Sequence, residues 1–400
     1  MNSDIEGRVP LESICSRVCT GGTPKSSVGL YYKDGTIPWL NTQEINFNRI
    51  RSTKSKITEE GYRDSSAKWI PENCVIVAMY GATAGKVAVN KIPLTTNQAC
   101  CNLQINPESA DFRFVYYYLC FEYARLASLA NGGAQQNLNT GIIGGFQIPN
   151  PSLSIQHAVA DILSTLDDKI ELNNRIIANL EAQAQAIFKS WFVDFEPLQD
   201  GEFEESELGL IPKGWSIFTF SEILTPSSEK DNSPDIPEYS VTNTGIYARD
   251  DKYKKKLSMM NSANKIIRKG DLVFGMSRTI LNWGIMFDEI GGVSLAYHVF
   301  KVDERIPTKY LEGYMRSYIS YFGDIIKPAA REGQGIDKSA LYAKQIYLPN
   351  EHVVADYYSI EDEITASIEN YRKQVATLEQ VRDTLLPKLM SGEVEVPVEG

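Results

Sequence analysis

The sequence predicts an α+β fold in which two similar globular units alternate with two long helices packed as an antiparallel coiled coil, a pseudo-two-fold tandem repeat. Three observations predict it. Residues 136–187 align on residues 334–385 at one constant offset without a gap: Ile148 falls on Ile346, Pro151 on Pro349, Ile170-Glu171 on Ile368-Glu369 and Leu180-Glu181 on Leu378-Glu379. Both copies carry apolar residues seven apart in two rows, the a/d pattern of a coiled coil. Ahead of each copy, an apolar run, a polar loop and a second apolar run recur in the same order.

Residues 1–147 read as the first globular unit. Gly21-Gly22-Thr23-Pro24 is turn chemistry, and Ile37-Pro38-Trp39-Leu40 starts a short extended run. Cys74–Ala78 has the length and composition of a buried strand; it breaks at Tyr80–Lys86 and resumes as Val87-Ala88-Val89. Phe112–Leu129 has helical spacing and is stopped by Asn131-Gly132-Gly133.

The first long helix lies within 148–196, entered at Pro151, with Leu163, Ile170, Ile177, Ala184 and Trp191 in one row and Val159, Leu166, Asn173, Leu180 and Ile187 in the other. An acidic linker, 197–212, holds Asp200, Glu202, Glu204, Glu205 and Glu207. The second globular unit, 213–345, repeats the strand, loop and strand as Leu272–Met276, Ser277–Gly284 and Ile285–Phe287, followed by a helical stretch over Tyr310–Phe322. The second long helix lies within 346–392, entered at Pro349, with Pro387 ending or kinking it near its last turn, and 393–400 is a tail.

Such helices are rods of about 55 Å. A lone rod would expose its stripe, so the seams pair: Leu163, Leu166, Ile170, Ile177 and Leu180 of the first with Ile364, Ile368, Val375, Leu378 and Leu385 of the second. Asn173 and Arg382 interrupt the stripes; burying them costs stability and fixes register.

Four hundred residues suit two or three domains. There is no signal-peptide layout and no apolar stretch of membrane-spanning length, so a cytoplasmic protein away from membranes is expected. All six cysteines precede residue 121, and a disulfide or metal framework essential to a duplicated fold would appear in both halves; free thiols are expected. His157, His298 and His352 are too scattered for a zinc set, and no metal or other cofactor is expected. The net charge of −11 is unevenly spread: residues 151–212 hold 3 Lys/Arg against 12 Asp/Glu, and residues 350–400 hold 4 against 11. The globular parts are left slightly basic, which permits contact with phosphates.

No catalytic constellation is present. Gly81–Lys86 is one residue short of a phosphate-binding loop and has Val87 where that motif needs Ser or Thr. Ser65-Ser66-Ala67-Lys68 has S-x-x-K spacing without companion motifs. What recurs instead is a set of polar loops able to meet base edges or phosphates. Thr23, Lys25, Tyr80, Thr83, Lys86 and Gln136 are the candidates in the first unit; Lys254, Lys255, Arg278, Thr279, Asn282 and Gln334 are those in the second.

These residues carry a resemblance over the whole length. Gly21–Pro24 with Ile37-Pro38-Trp39, Gln135–Pro151, Ile155–Glu181, Leu208-Gly209 with Ile211–Trp215, Gly270-Asp271-Leu272 and Leu385–Val394 together make the chain similar to the specificity subunit of a type I restriction-modification system. The resemblance implies a non-catalytic subunit with two target recognition domains, each reading one half of a bipartite, asymmetric site in double-stranded DNA. It implies that the helices set the spacer and dock two methyltransferase subunits, and that restriction and translocase subunits join that core. The rival reading is a two-headed scaffold that binds only proteins, or an inactive decoy. On the first reading, Arg278→Ala weakens one half-site more than the other.

Overall fold

The apolar runs of the first unit are continuous rather than alternating, the pattern of strands covered on both faces. In the computed structural model, which describes residues 7–130, 137–231, 236–249, 264–277, 279–326 and 335–397, they form such strands. The chain divides into two units, one of residues 1–176 with 371–400 and one of residues 177–370.

In the first unit five strands lie in the order Cys15–Thr20, Cys100–Ile105, Val75–Ala78, Val87–Asn90, Asn48–Ile50; the first four are antiparallel neighbours and the last joins in parallel. Successive side chains of a strand point to opposite faces. Val75 and Val77 accordingly enter one core with Phe114, Val115 and Leu119 of the helix Phe112–Phe121, while Ile76 and Ala78 enter another with Leu40, Ile70 and Leu94. That second core is shared with a four-stranded sheet in the order Ser55–Ile57, Ile37–Leu40, Leu94–Thr96, Trp69–Ile70. The helical stretch expected over 112–129 is two helices, Phe112–Phe121 and Tyr123–Ser128.

The second unit repeats the first four strands in the same order, as Leu224–Ser227, His298–Val302, Leu272–Phe274 and Trp283–Ile285, all antiparallel. Its sheet is also two-faced: Leu272 and Phe274 join one core, Val273 the other. The second face is covered differently, by the hairpin Tyr239–Thr242/Gly245–Ala248 and by the three-stranded sheet Lys230–Asp231, Asn264–Arg268, Ile290–Val293. The helical stretch expected at Tyr310–Phe322 is an α-helix over Thr308–Ser317 followed by 3-10 turns over Ile319–Ile325.

The long helices are Leu153–Phe192 and Glu351–Met390, 40 residues each. At a rise of 1.5 Å per residue each is about 60 Å long. Pro387 stands in the last turn of the second, so the N–H it lacks and the crowding of its ring against the preceding turn disturb only the end of the helix. In the first unit Asn173 Nδ2 donates to Gln374 Oε1 at 3.3 Å and Arg382 Nη1 to Asp167 Oδ1 at 2.9 Å, so the two helices run antiparallel there. Their ends are the main packing anchors. Leu389 and Met390 join the first unit's core beside Val159 and Leu163, while Phe188 and Phe192 join the second unit's core against Tyr310, Trp215 and Tyr357. The ring of Phe188 lies so close to Gly313 that a Cβ there would meet it at 2.3 Å, which demands glycine.

The acidic linker is an ordered hairpin, Phe203–Ser206 paired with Gly209–Pro212. Lys213 Nζ lies 2.6 Å from Glu202, and Glu204 accepts the Gly214 N–H at 3.1 Å, so two of its carboxylates are tied to the start of the following chain.

Candidate nucleic-acid interface

The candidate loops of the first unit meet at one end of the five-stranded sheet. Gly85 N–H donates to Ala78 O at 2.8 Å and Ala78 N–H to Lys86 O at 2.9 Å, closing Met79–Lys86 into a hairpin loop with Gly81 and Gly85 in the left-handed region. Met79 N–H then bonds Ala99 O, and Leu138 N–H bonds Met79 O, both at 2.8 Å, so the 97–99 and 137–139 turns sit beside that loop. The Gly21–Pro24 turn joins them because Gly22 N–H donates to Thr96 O and Thr23 Oγ1 donates to Gln98 Oε1. A Cβ on Gly21 would lie 1.9 Å from Thr96 O, so only glycine permits that approach. Trp39 Nε1 and Tyr32 Oη further clamp the turn by donating to the carbonyls of Gly22 and Pro24.

On this frame Tyr80 presents a ring that is 43% exposed. Thr83 is turned inward enough to donate to Tyr80 O at 3.3 Å, Lys86 Nζ donates to Asn46 Oδ1 at 2.7 Å, and Lys25 is exposed. Gln136 lies outside the described residues, and so do Lys254, Lys255, Arg278 and Gln334 of the second unit.

Thr279 and Asn282 are in the equivalent loop of the second unit. Its shape is set from within: Asn282 N–H donates to the buried Ser277 Oγ at 2.8 Å, Asn282 Nδ2 to Met276 O, and Gly275 N–H to Asn282 O at 2.9 Å. The amide nitrogen of Asn282 therefore holds the loop closed, and the groups turned outward among its described residues are Thr279 and Ile280. Ile280 is 59% exposed while its neighbour Leu281 is anchored in the core. Nothing in the spacing of the sequence distinguished Ile280 from Leu281; the path of the folded loop does. Asn46 and Gln98, which hold Lys86 and Thr23, were equally invisible as isolated polar residues.

The helix-pairing candidates all avoid full exposure. Leu163, Ile170, Ile177 and Ile368 are buried, and Leu166, Leu180, Ile364, Val375, Leu378 and Leu385 are half-buried. Basic side chains of the globular parts reach the acidic helices: Arg51 meets Glu171 at 2.8 Å, Arg113 meets Asp161 at 2.5 Å, and Lys309 meets Glu361 and Asp362 at 2.6 and 2.9 Å. Part of the basic excess of the globular regions is thus neutralised on the helices. A cleft of about 720 Å³ runs in the first unit from Phe47 to Glu171 and Arg382, lined by Arg49, Arg51 and Arg175.

All six cysteines are free thiols. Burial pushes Cys74 and Cys101 up to about 12. Among the described residues no group of three or more His, Cys, Asp or Glu is placed to hold a metal ion, and no helix is long and apolar enough to cross a membrane.

Residues 4–182 match the family described as type I restriction modification DNA specificity domain. The specificity subunit of the type I restriction enzyme MjaIX of Methanocaldococcus jannaschii is 27% identical over 95% of this chain and 91% of its own length. Over nearly its whole length the chain is thus similar to type I restriction-modification specificity subunits. A second specificity subunit from the same organism, of the enzyme MjaVIII, is 22% identical over 91% of this chain and 87% of its own. The crystal structure of a type I specificity subunit from M. genitalium shares the fold, with a TM-score of 0.53 at 18% identity, over 100% of this chain and 98% of that one. The family match covers the unit whose loops converge at residues 21–25, 79–86 and 97–99.

Proposed function

We propose that the chain is a non-catalytic DNA-reading subunit in which residues 1–147 and 213–345 each read one half of a bipartite, asymmetric site in double-stranded DNA. The helical regions 148–196 and 346–392, joined to these domains by the segment 197–212 and followed by the tail 393–400, set the spacer and dock two methyltransferase subunits, through which restriction and translocase subunits are recruited. One observation carries this reading: both units have the same strand order, Cys15–Thr20, Cys100–Ile105, Val75–Ala78, Val87–Asn90 in one and its counterpart in the other, yet carry unlike loops on it. A repeated scaffold with different loops suits two unlike half-sites. In this reading Thr23, Lys25, Tyr80, Thr83, Lys86 and Gln136 meet one half-site, and Lys254, Lys255, Arg278, Thr279, Asn282 and Gln334 the other, with Asn282 acting through the loop it holds shut.

Selection of bound fragments from a random duplex pool, with and without a methyltransferase partner, tests it. Enrichment of two short sequence blocks at a fixed gap is expected. An unselective pool, or protein partners bound with no duplex, supports the rival scaffold or decoy.

A further inference from the structure

The second unit carries a like-charge cluster near its candidate loop that the first unit lacks. In the antiparallel pairing of Lys230–Asp231 with Asn264–Arg268, Lys230 stands directly opposite Lys265. Like charges in that position destabilise a sheet, so the pair needs a reason other than the fold. Lys265 is half-buried, its Nζ donating to Tyr297 O, and the residue after that tyrosine is His298. His298 opens its strand opposite Phe274, the last strand residue before the Gly275–Asn282 loop. Gly335 closes over the imidazole, since a Cβ there would lie 2.9 Å from Nε2, and Lys338 follows three residues later.

The electrostatics agree with the geometry. Burial and then the positive charges of Lys338 and Lys230 hold Lys265 below the usual lysine range; burial and then Lys338 and Lys265 hold His298 below the usual histidine range. The acids nearby have other partners: Asp337 accepts the N–H groups of Ser339 and Ala340, Glu229 pairs with Arg268, and Glu238 accepts from Asn264. At the equivalent offset the first unit has Cys100 for His298 and Thr140 for Lys338, so the cluster is not part of the shared scaffold.

We propose that Lys230, Lys265, His298 and Lys338 form a phosphodiester-binding site of the second unit, beside the loop that carries Thr279 and Ile280. This rests on the reading of the chain as a DNA-recognition subunit. The ligand is the DNA backbone, an anion that replaces repulsion among the four groups by attraction, and the contact fixes the position of the unit on the duplex without reading sequence.

The test uses the full-length protein and a duplex recovered from the selection above, with the dissociation constant followed against potassium chloride. The exposed pair Lys230→Gln and Lys338→Gln is made together, and Lys265→Gln separately. Each phosphate contact contributes a slope of about 0.9 in log affinity against log salt, or about a 3-fold change between 50 and 200 mM. The double variant is therefore expected to lose about two units of slope, to weaken on selected and random duplexes alike, and to enrich the same sequence. An unchanged slope, or a loss confined to the selected duplex, overturns the site, and the exposed pair still decides the question if Lys265→Gln fails to fold. Thermal stabilisation by inorganic phosphate that the double variant abolishes, with the DNA slope unchanged, assigns the cluster to a small anion and also overturns it. Wild-type protein that selects no duplex defeats the underlying function instead.

Discussion

Ile280 shows what the folded loop adds to a set of polar residues. A loop closed by hydrogen bonds of Asn282 that presents a large aliphatic side chain offers an apolar contact, such as the one a thymine methyl group accepts in the major groove. Ile280→Ala should leave stability nearly unchanged and reduce affinity about 5- to 10-fold at one half-site, the low end of the about 1–3 kcal/mol that a good bidentate base contact is worth. Competition between duplexes randomised in one half at a time reads this, and equal losses in both halves would show that Ile280 is not a reader. The Gly21–Pro24 turn was legible in the sequence because glycine is chemically singular. The role of Asn282 was not, because an exposed reader and a loop clamp share one residue type and only the bond to Met276 O separates them. The lysine cluster was illegible for a related reason: residues 225–262 have no counterpart in the first half, and without the register of Lys230 against Lys265 the charges look scattered. The buried thiols carry a pH prediction. Cys74 and Cys101 titrate near 9 when unfolded and are pushed up to about 12 when folded, so the native state retains their protons longer. Their contribution to stability is complete below pH 9 and is lost as pH rises from 9 towards 12. The urea midpoint should therefore fall above pH 9, and fall less steeply in Cys101→Ala; an identical pH profile for that variant would remove the thiol from the account.

Among the elements, the long helices were the most legible, because a seven-residue apolar repeat and a matching second copy survive without any knowledge of tertiary contacts. Their polar interruptions now have partners. Asn173 is fully buried in the first unit, its Nδ2 on Gln374 and its Oδ1 without a partner. A buried unsatisfied acceptor costs about 1–3 kcal/mol. Asn173→Leu should therefore raise the stability of the first unit by about 1 kcal/mol, read from chemical denaturation, and a loss would mean that the Gln374 bond outweighs the stranded oxygen. Arg382 behaves oppositely. Its Nη1 lies 2.9 Å from Asp167, a carboxylate that also accepts from Tyr117 Oη at 2.6 Å. Hydrogen bonds to Asp167 and Asp383 hold the guanidinium's charged form in place against the burial that opposes it. Removing it as Arg382→Ala leaves the Tyr117 hydroxyl as the remaining hydrogen-bond donor to Asp167 and should destabilise by about 1–3 kcal/mol. Less legible were the helix ends. The seam rows run through Ile187 and Trp191 and pass over Phe188 and Phe192, which are anchors in a globular core; the signal for that was their aromatic character and the small residue Gly313 needed to admit Phe188.

At the scale of the whole molecule the duplication predicts how half of it should behave. In the first unit Val159 and Leu163 share a core with Leu385, Leu389 and Met390. The repeat equivalents of those three are Ile187, Trp191 and Phe192 of the first helix, so one half carries both sides of the contact. A protein truncated after residue 196 would expose its seam unless a second copy supplied the partner, and the antiparallel sense of the pairing makes that contact self-complementary. The full chain keeps two polar contacts that such a dimer loses. The equivalent of Arg382 is Ala184 and that of Gln374 is Ile176, which would leave Asp167 and Asn173 facing apolar side chains. Sedimentation of residues 1–196 should therefore show a reversible dimer that dissociates on dilution, and Asn173→Leu should tighten it by about tenfold, the equivalent of 1.4 kcal/mol. A folded monomer at all concentrations would mean that the first unit is stable without the second helix, and the seam would then need another explanation.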